Sequence, residues 1–401
     1  MDDAGVPGVC EGGDGIVMRQ PSLFEGMRLT LEQAVERSLT SLREYGARYR
    51  HWAVAYSGGK DSTATVTFVA WAIRKGLVPA PDSLTVLYVD TRLELPPLQR
   101  SALNLMARLR KQGFTAKWVL PQIRDRFLVY MLGYGVPPSS NTFRWCTDKI
   151  KIQPMMTVLD DLRDQNGKFL MLTGVRVGES AARDQRIAVS CSMNGGECGQ
   201  GWFQVSTPDS VADTLAPLLH WRVCHVYDWL YYDPMGHGYD VPGIATVYGE
   251  DEVRTGCVGC PLASRDVALE RVVRDPEWAQ LMPLLELKPL WRELKQPQWR
   301  KRKLAPERRQ DGQWSRNVQR MGPLTMEARA YGLEKVLDIQ QRVSIMSLVD
   351  QNEEAVIREM WERDLWPRKW SSLDADADAP LDVALMVTAD GRLASQAVLV
   401  R

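Results

Sequence analysis

The chain has 401 residues, 45% of them apolar and 25% charged, the composition of a soluble globular protein with room for one large domain or two ordinary ones. No run of eighteen apolar residues occurs, so no membrane span is expected. With 50 Lys and Arg against 50 Asp and Glu, overall charge attracts no polyanion, and any such partner must meet a local basic patch.

Residues 1–28 are Gly-rich and without periodicity, as in a flexible leader. Met1-Asp2-Asp3-Ala4-Gly5 has neither the basic nor the apolar part of a signal peptide, so a cytoplasmic location is expected. Thr30 followed by Gln33 has the spacing of a capping box, and Leu31, Ala34, Val35, Leu39 and Leu42 line one face of the helix it opens. A strand over His51–Tyr56 runs into Ser57-Gly58-Gly59-Lys60-Asp61-Ser62, and a helix over Asp61–Lys75 stops at Gly76. Strands over Leu84–Val89, Thr115–Leu120 and Phe169–Leu172, with a helix over Pro97–Lys111, continue the alternation. This is the pattern of an α/β fold with a doubly wound, mostly parallel sheet, whose ligands bind beyond the carboxyl ends of the strands.

From about 266 to 370 the pattern turns helical, with Trp and charge interleaved. Residues 371–380 read as an acidic linker, and 381–401 as a terminal β-hairpin around Asp390-Gly391. The expected organisation is therefore a leader to 28, an α/β domain over 29–265, a helical basic region over 266–370, and the linker with its hairpin.

Ser57–Ser62, between strand and helix, has the makings of an anion site built from backbone. Two glycines permit a tight turn and close ligand approach. The helix dipole and exposed N–H groups favour a phosphate, with Ser57 and Ser62 adding hydroxyls and Lys60 a positive charge. The spacing is not G-x-x-x-x-G-K-[ST], the loop that serves cleavage between β- and γ-phosphates.

The hexapeptide resembles the PP-loop of the ATP pyrophosphatases, whose fold is adenine nucleotide α-hydrolase-like and which release pyrophosphate from ATP. Three more segments, in order, resemble the phosphoadenosine phosphosulfate reductase branch of that superfamily. They are Asp90-Thr91-Arg92-Leu93-Glu94-Leu95-Pro96 (D-T-x-x-E-x-P), Arg144 to Lys151 (R-x-C-x-x-x-x-K), and Gly174 to Arg183 (G-x-R-x-x-E-S-x-x-R). The resemblance implies catalytic roles for Lys60, Asp61, Arg176 and Arg183. It also implies nucleotide binding by Ser57, Gly58, Gly59, Ser62, Asp90, Arg144, Lys149, Gly174 and Glu179. Arginine forks suit phosphate oxygens, and Asp90 is a candidate to hold Mg²⁺ on the polyphosphate.

Seven cysteines are an odd number for a disulfide framework. Cys10 falls in the leader, and Cys224, among Trp and Tyr, reads as core. Cys257 and Cys260 form a C-x-x-C with Gly256 and Gly259 freeing the backbone. Cys146 and Cys198 complete a candidate metal set, with Cys191 in reserve. Four thiolates suit a [4Fe–4S] cluster or zinc; two C-x-x-C pairs, the usual zinc spacing, are absent, which favours iron–sulfur. A bare redox pair is a third reading. The arrangement resembles the C subunit of the Dnd DNA-phosphorothioation system and the D subunit of its Ssp counterpart. Here Gly-Glu-Cys198 precedes Trp221–Trp229, a departure from the Dnd order.

Between Arg292 and Arg320 stand ten Lys or Arg against three Asp or Glu, interleaved with Trp299 and Trp314 and preceded by Trp291. Basic and aromatic residues together are the footprint of a nucleic-acid groove, and Arg300-Lys301-Arg302-Lys303 is expected to face water or a polyanion. The resemblance thus implies an ATP pyrophosphatase that adenylates a DNA backbone phosphate. Sulfur would come from a cysteine desulfurase within a phosphorothioation complex. Alternatives are a sulfonucleotide reductase (although no cysteine follows Cys260), a tRNA-thiolating enzyme, and a non-catalytic nucleic-acid-binding subunit.

Overall fold

Five apolar strands pair side by side, all parallel, in the order β3-β2-β1-β4-β5. They are β1 (His51–Tyr56), β2 (Ser83–Val89), β3 (Thr115–Val119), β4 (Phe169–Leu172) and β5 (Ala212–Leu215). All of β4, and all but the first residue of β1 and β2, is buried, because helices cover both faces of the sheet. Alternation decides which core each side chain enters. Trp52, Val54 and Tyr56 join the larger cluster with α1 (Leu31–Ser41), α2 (Lys60–Arg74) and α3 (Pro96–Lys111). Ala53 and Ala55 face the smaller one with α5 (Gln153–Asn166).

The computed structural model describes residues 29–178, 211–249, 255–308, 311–315, 319–381 and 383–397. Among these no helix is long and apolar enough to cross a membrane. The Thr30–Gln33 capping box forms in both directions, at 2.9 and 3.3 Å.

Beyond the sheet lie α4 (Phe127–Tyr134), α6 (Val223–Tyr227) and α7 (Pro242–Tyr248). The C-terminal half adds α8 (Val267–Val272), α9 (Leu287–Glu293), α10 (Met326–Val343) and α11 (Gln351–Glu362). One hydrophobic cluster joins both halves, holding Phe68 and Trp229 together with Leu284, Val336 and Met360. Strands interrupt the expected helical region. β6 (Arg300–Arg302) lies antiparallel between β7 (Met321–Leu324) and β8 (Ala375–Asp376), so residues 371–380 include a paired strand as well as turns. The terminal hairpin is present as β9 (Val383–Val387) and β10 (Leu393–Ala397), with Gly391 at φ +81° in the turn.

β1 continues outward through β2 and β3 on one side and through β4 and β5 on the other. That order makes the gap beyond β1 and β4 a topological switch point, where doubly wound sheets hold their ligands.

Candidate nucleotide site

The loop after β1 lies at that gap. Gly58 adopts φ +75°, a conformation that costs a side-chain-bearing residue energy, and α2 then begins at Lys60. Ser62 Oγ donates to the Gly59 carbonyl at 3.0 Å and accepts from the Ser57 amide at 3.2 Å, so its hydroxyl shapes the loop. Among the described residues, the amides of Gly58, Gly59 and Asp61 have no protein acceptor. A turn that presents such N–H groups at the start of a 15-residue helix is suited to receive an anion.

Charged side chains converge beside it. Asp61 accepts from Lys60 Nζ at 2.8 Å through one oxygen and from Arg176 Nε at 2.6 Å through the other. Arg176 is 4% exposed and also donates to the Trp221 carbonyl at 3.0 Å, so it ties the end of β4 to the segment after β5. Two cations on one carboxylate leave a net positive charge beside partnerless amides. Gly174 permits the approach: a Cβ there would lie 3.0 Å from both Asp61 C and Ser62 N.

Asp90 behaves differently from the expectation of a Mg²⁺ ligand. It is buried at the end of β2, and its carboxylate accepts from Arg92 N at 2.7 Å, Trp118 Nε1 at 3.0 Å and Gln99 Nε2 at 3.2 Å. Three protein donors already occupy it, so it anchors the tip of β2, and no step is derived through a metal there. Arg144 is exposed. Lys149 turns to Asp125 at 2.9 Å and lies over the Tyr130 ring. Counted from Arg144, R-x-C-x-x-x-x-K ends at Lys151, whose pKa is raised by electrostatic interaction with Cys257 foremost, then Glu94, Cys146 and Cys260, against the opposing effect of burial. The motif's own spacing was therefore a signal for Lys151 over Lys149.

Of the expected metal ligands, Cys146, Cys257 and Cys260 lie within the described residues, while Glu179, Arg183, Cys191 and Cys198 lie outside them, as does Cys10. Among the described residues no three His, Cys, Asp or Glu side chains form a group able to hold a metal ion. Cys146, Cys257 and Cys260 by themselves do not fit a cluster or zinc in this arrangement. Burial pushes the Cys257 thiol up to about 12, and Thr91 Oγ1 lies 3.6 Å from its sulfur. Cys224, expected in the core, is exposed, because α6 turns His225 and Val226 inward instead.

Within the strip from Arg292 to Arg320, the four cations expected to face water or a polyanion, Arg300 to Lys303, bond to the protein itself. Arg300 is buried, with Nε donating to the Gly322 carbonyl at 2.6 Å. Lys301 pairs with Asp376 at 2.9 Å, Lys303 with Asp374 at 2.7 Å, and Arg320 with Glu307 at 2.7 Å. Arg302 donates to the Ala377 carbonyl at 2.9 Å. Trp291 is buried and Trp299 stacks on Tyr331, so neither ring is presented for base stacking. The acidic segment that read as a linker pairs with Lys301 and Lys303, two of the ten cations of the strip.

Sequence reasoning missed Tyr248, at the end of α7. It is 4% exposed, its hydroxyl accepts from the Lys60 amide at 3.4 Å, and its ring lies under Lys60 Nζ at 5.4 Å. No motif marks it.

Residues 51–262 match the model of the phosphoadenosine phosphosulfate reductase domain, more than half of the chain. The chain belongs to that family. The phosphoadenosine phosphosulfate reductase domain thus takes in the phosphate loop, the β2 tip and the C-x-x-C. An uncharacterized protein of Methanocaldococcus jannaschii is 23% identical over 215 residues, 52% of this chain and 35% of its own length. The chain therefore spans about a third of that curated relative.

Among solved structures, the phosphoadenylyl-sulfate reductase of Candida auris in its phosphate complex is 11% identical, with a TM-score of 0.34 over 52% of this chain and 88% of that one. The U34-tRNA thiolase NcsA of Methanococcus maripaludis with its [4Fe-4S] cluster is 13% identical, with a TM-score of 0.32 over 66% and 79%. The NMN synthetase of Francisella tularensis is 15% identical, with a TM-score of 0.32 over 51% and 71%. Likeness at this level carries no argument about chemistry or partners.

Proposed function

We propose that this chain is an ATP pyrophosphatase that adenylates a DNA backbone phosphate for sulfur incorporation. The observation that carries the reading is the meeting of partnerless loop amides with the Lys60–Asp61–Arg176 group at the switch point. An acceptor oxygen attacks the α-phosphorus of ATP, the bond to the β-phosphate oxygen breaks, and pyrophosphate leaves. Loop amides and Lys60 stabilise the charge that develops on it, while Arg176 fixes Asp61. A persulfide from a cysteine desulfurase then attacks the adenylated phosphate and releases AMP, and a thiol reductant cleaves the resulting S–S bond to leave the phosphorothioate. DNA as acceptor, and other subunits of a phosphorothioation complex as partners, rest on the resemblance carried by the cysteine arrangement at Cys146, Cys198, Cys257 and Cys260. The 292–320 strip, whose central cations are engaged within the protein, does not add to that support. Iron and zinc content of the purified protein tests whether Cys198 joins Cys146, Cys257 and Cys260 in holding a [4Fe–4S] cluster or zinc, and the metal dependence of pyrophosphate release tests Mg²⁺.

The test is pyrophosphate release from ATP with duplex DNA, tRNA or neither. DNA-stimulated release, lowered about 10²–10³-fold in Lys60→Ala, is expected. A Lys60→Ala protein as fast as the parent would overturn the chemistry, and stimulation by tRNA alone would move the acceptor to RNA. The family match favours one second reading, a sulfonucleotide reductase. Tight binding of phosphoadenosine phosphosulfate without pyrophosphate release from ATP would establish it instead.

A further inference from the structure

Tyr248 joins two parts of the site. Its hydroxyl meets the Lys60 amide on one side and Thr255 Oγ1, at 2.6 Å, on the other. A Cβ on Gly59 would come within 3.1 Å of the same oxygen, so the hydroxyl is wedged against the phosphate loop. Thr255 stands two residues before Cys257. The C-x-x-C turn is in turn fastened to the tip of β2, with Val258 N donating to the Leu93 carbonyl at 2.7 Å and Cys260 N to the Cys257 carbonyl at 3.0 Å.

The Lys60 amide belongs to the same helix start as the partnerless Gly58, Gly59 and Asp61 amides. An anion that collects those groups also competes for the Lys60 N–H, which Tyr248 holds through a long bond of 3.4 Å. A tyrosine hydroxyl is a neutral acceptor, and a phosphate oxygen is a charged one that makes the stronger bond.

We propose that Tyr248 is a positioning residue that couples phosphate occupancy of the loop to the cysteine-bearing turn. A diphosphate takes the Lys60 N–H, the Tyr248 hydroxyl is released, and the restraint it passes through Thr255 to Cys257–Cys260 relaxes. The inference rests on the phosphate-loop reading above and adds a route from that loop to the cysteines. It assigns no chemistry to the cysteines themselves.

The test uses the full chain with inorganic pyrophosphate as the probe, reading affinity by calorimetry and amide hydrogen exchange by mass spectrometry. In the parent protein, pyrophosphate speeds exchange in peptides covering residues 255–261 by about two- to tenfold, the worth of one net hydrogen bond. Tyr248→Phe, which has no hydroxyl to displace, binds pyrophosphate about two- to tenfold more tightly and shows no such response. Thr255→Val keeps the parent affinity and also loses the response. Both substitutions preserve side-chain volume, and retained binding shows that the loop has folded.

Pyrophosphate binding with no change over 255–261 would overturn the coupling and leave the phosphate-loop reading standing. So would a response that persists in both variants, or weaker binding by Tyr248→Phe. Absence of pyrophosphate and ATP binding in the parent would remove the phosphate-loop reading and the coupling together.

Discussion

The guanidinium of Arg176 and the carboxylate of Asp61 meet at 2.6 Å across the switch point, with 5% and 17% of their side chains exposed. Removing the arginine leaves Asp61 with Lys60 alone and strips the Trp221 carbonyl of a donor. Arg176→Ala is expected to cost about 3 kcal/mol of stability in urea unfolding, as breaking an enclosed ion pair does. Arg176→Lys should recover part of that stability but not of nucleotide affinity, because one ammonium cannot serve Asp61 and Trp221 in the geometry of a planar fork. A lysine variant with parental affinity would show that the fork is not needed.

Gly174→Ala tests close approach. The added methyl would press on the backbone of Asp61 and Ser62, so the first turn of α2 must shift by a few tenths of an ångström. Overpacking of this kind costs about 1–3 kcal/mol. Because it acts on the anion receptor, ATP affinity should fall roughly tenfold or more, the equivalent of about 1.4 kcal/mol. Unaltered ATP binding would place the phosphates elsewhere.

Two histidines set an acid limit on stability. In His237, Nδ1 accepts from the Tyr239 amide at 2.9 Å while Nε2 lies 2.7 Å from the Trp229 carbonyl. In His225, Nδ1 accepts from the Arg222 amide at 3.2 Å while Nε2 lies 3.1 Å from the Leu29 carbonyl. Both rings are therefore held neutral, with the proton on Nε2. Burial lowers both pKa values below 6.5, against the weaker opposing effects of the Trp229 and Leu29 carbonyls and then of Asp233 and Asp228. The unfolded chain then binds more protons, so stability falls as pH drops below about 6.5, by up to about 1.4 kcal/mol per pH unit for each ring. The urea midpoint should be lower at pH 5.5 than at 7.5, and His237→Gln should flatten that difference.

The ion pairs of β6 predict how a hidden basic surface would be uncovered. Asp374→Asn with Asp376→Asn releases Lys303 and Lys301. The double variant should bind duplex DNA more tightly than the parent, with a salt slope steeper by about 2 in logarithmic units, one for each freed cation. Equal affinity and slope would mean that this strand meets no phosphate even when its partners are gone.

The elements that position the site were largely legible. β1 and β4 have the expected bounds because each is a buried apolar run closed by a turn, the simplest pattern for a strand covered on both faces. β5, Ala-Asp-Thr-Leu, was not seen: it is a four-residue edge strand with two half-buried positions and no apolar run. Ser57–Ser62 and Arg176 came from motif spacing, whereas Tyr248 meets Lys60 across 188 positions and carries no local signal. The basic run misled for a related reason. Its charges are plain in the sequence, but the carboxylate that answers Lys303 stands 71 residues further on.

The contact between Thr91 and Cys257 spans 166 residues, so the order of synthesis matters for this fold. With a ribosome adding ~5–20 residues per second, the D-T-x-x-E tip leaves the exit tunnel on the order of 10–30 s before the turn that covers it exists. Through that interval the first three strands can pair while their carboxyl ends stay open to solvent and to chaperones. The loop after β1 is thus synthesised long before the cysteine turn that closes over the neighbouring strand tip.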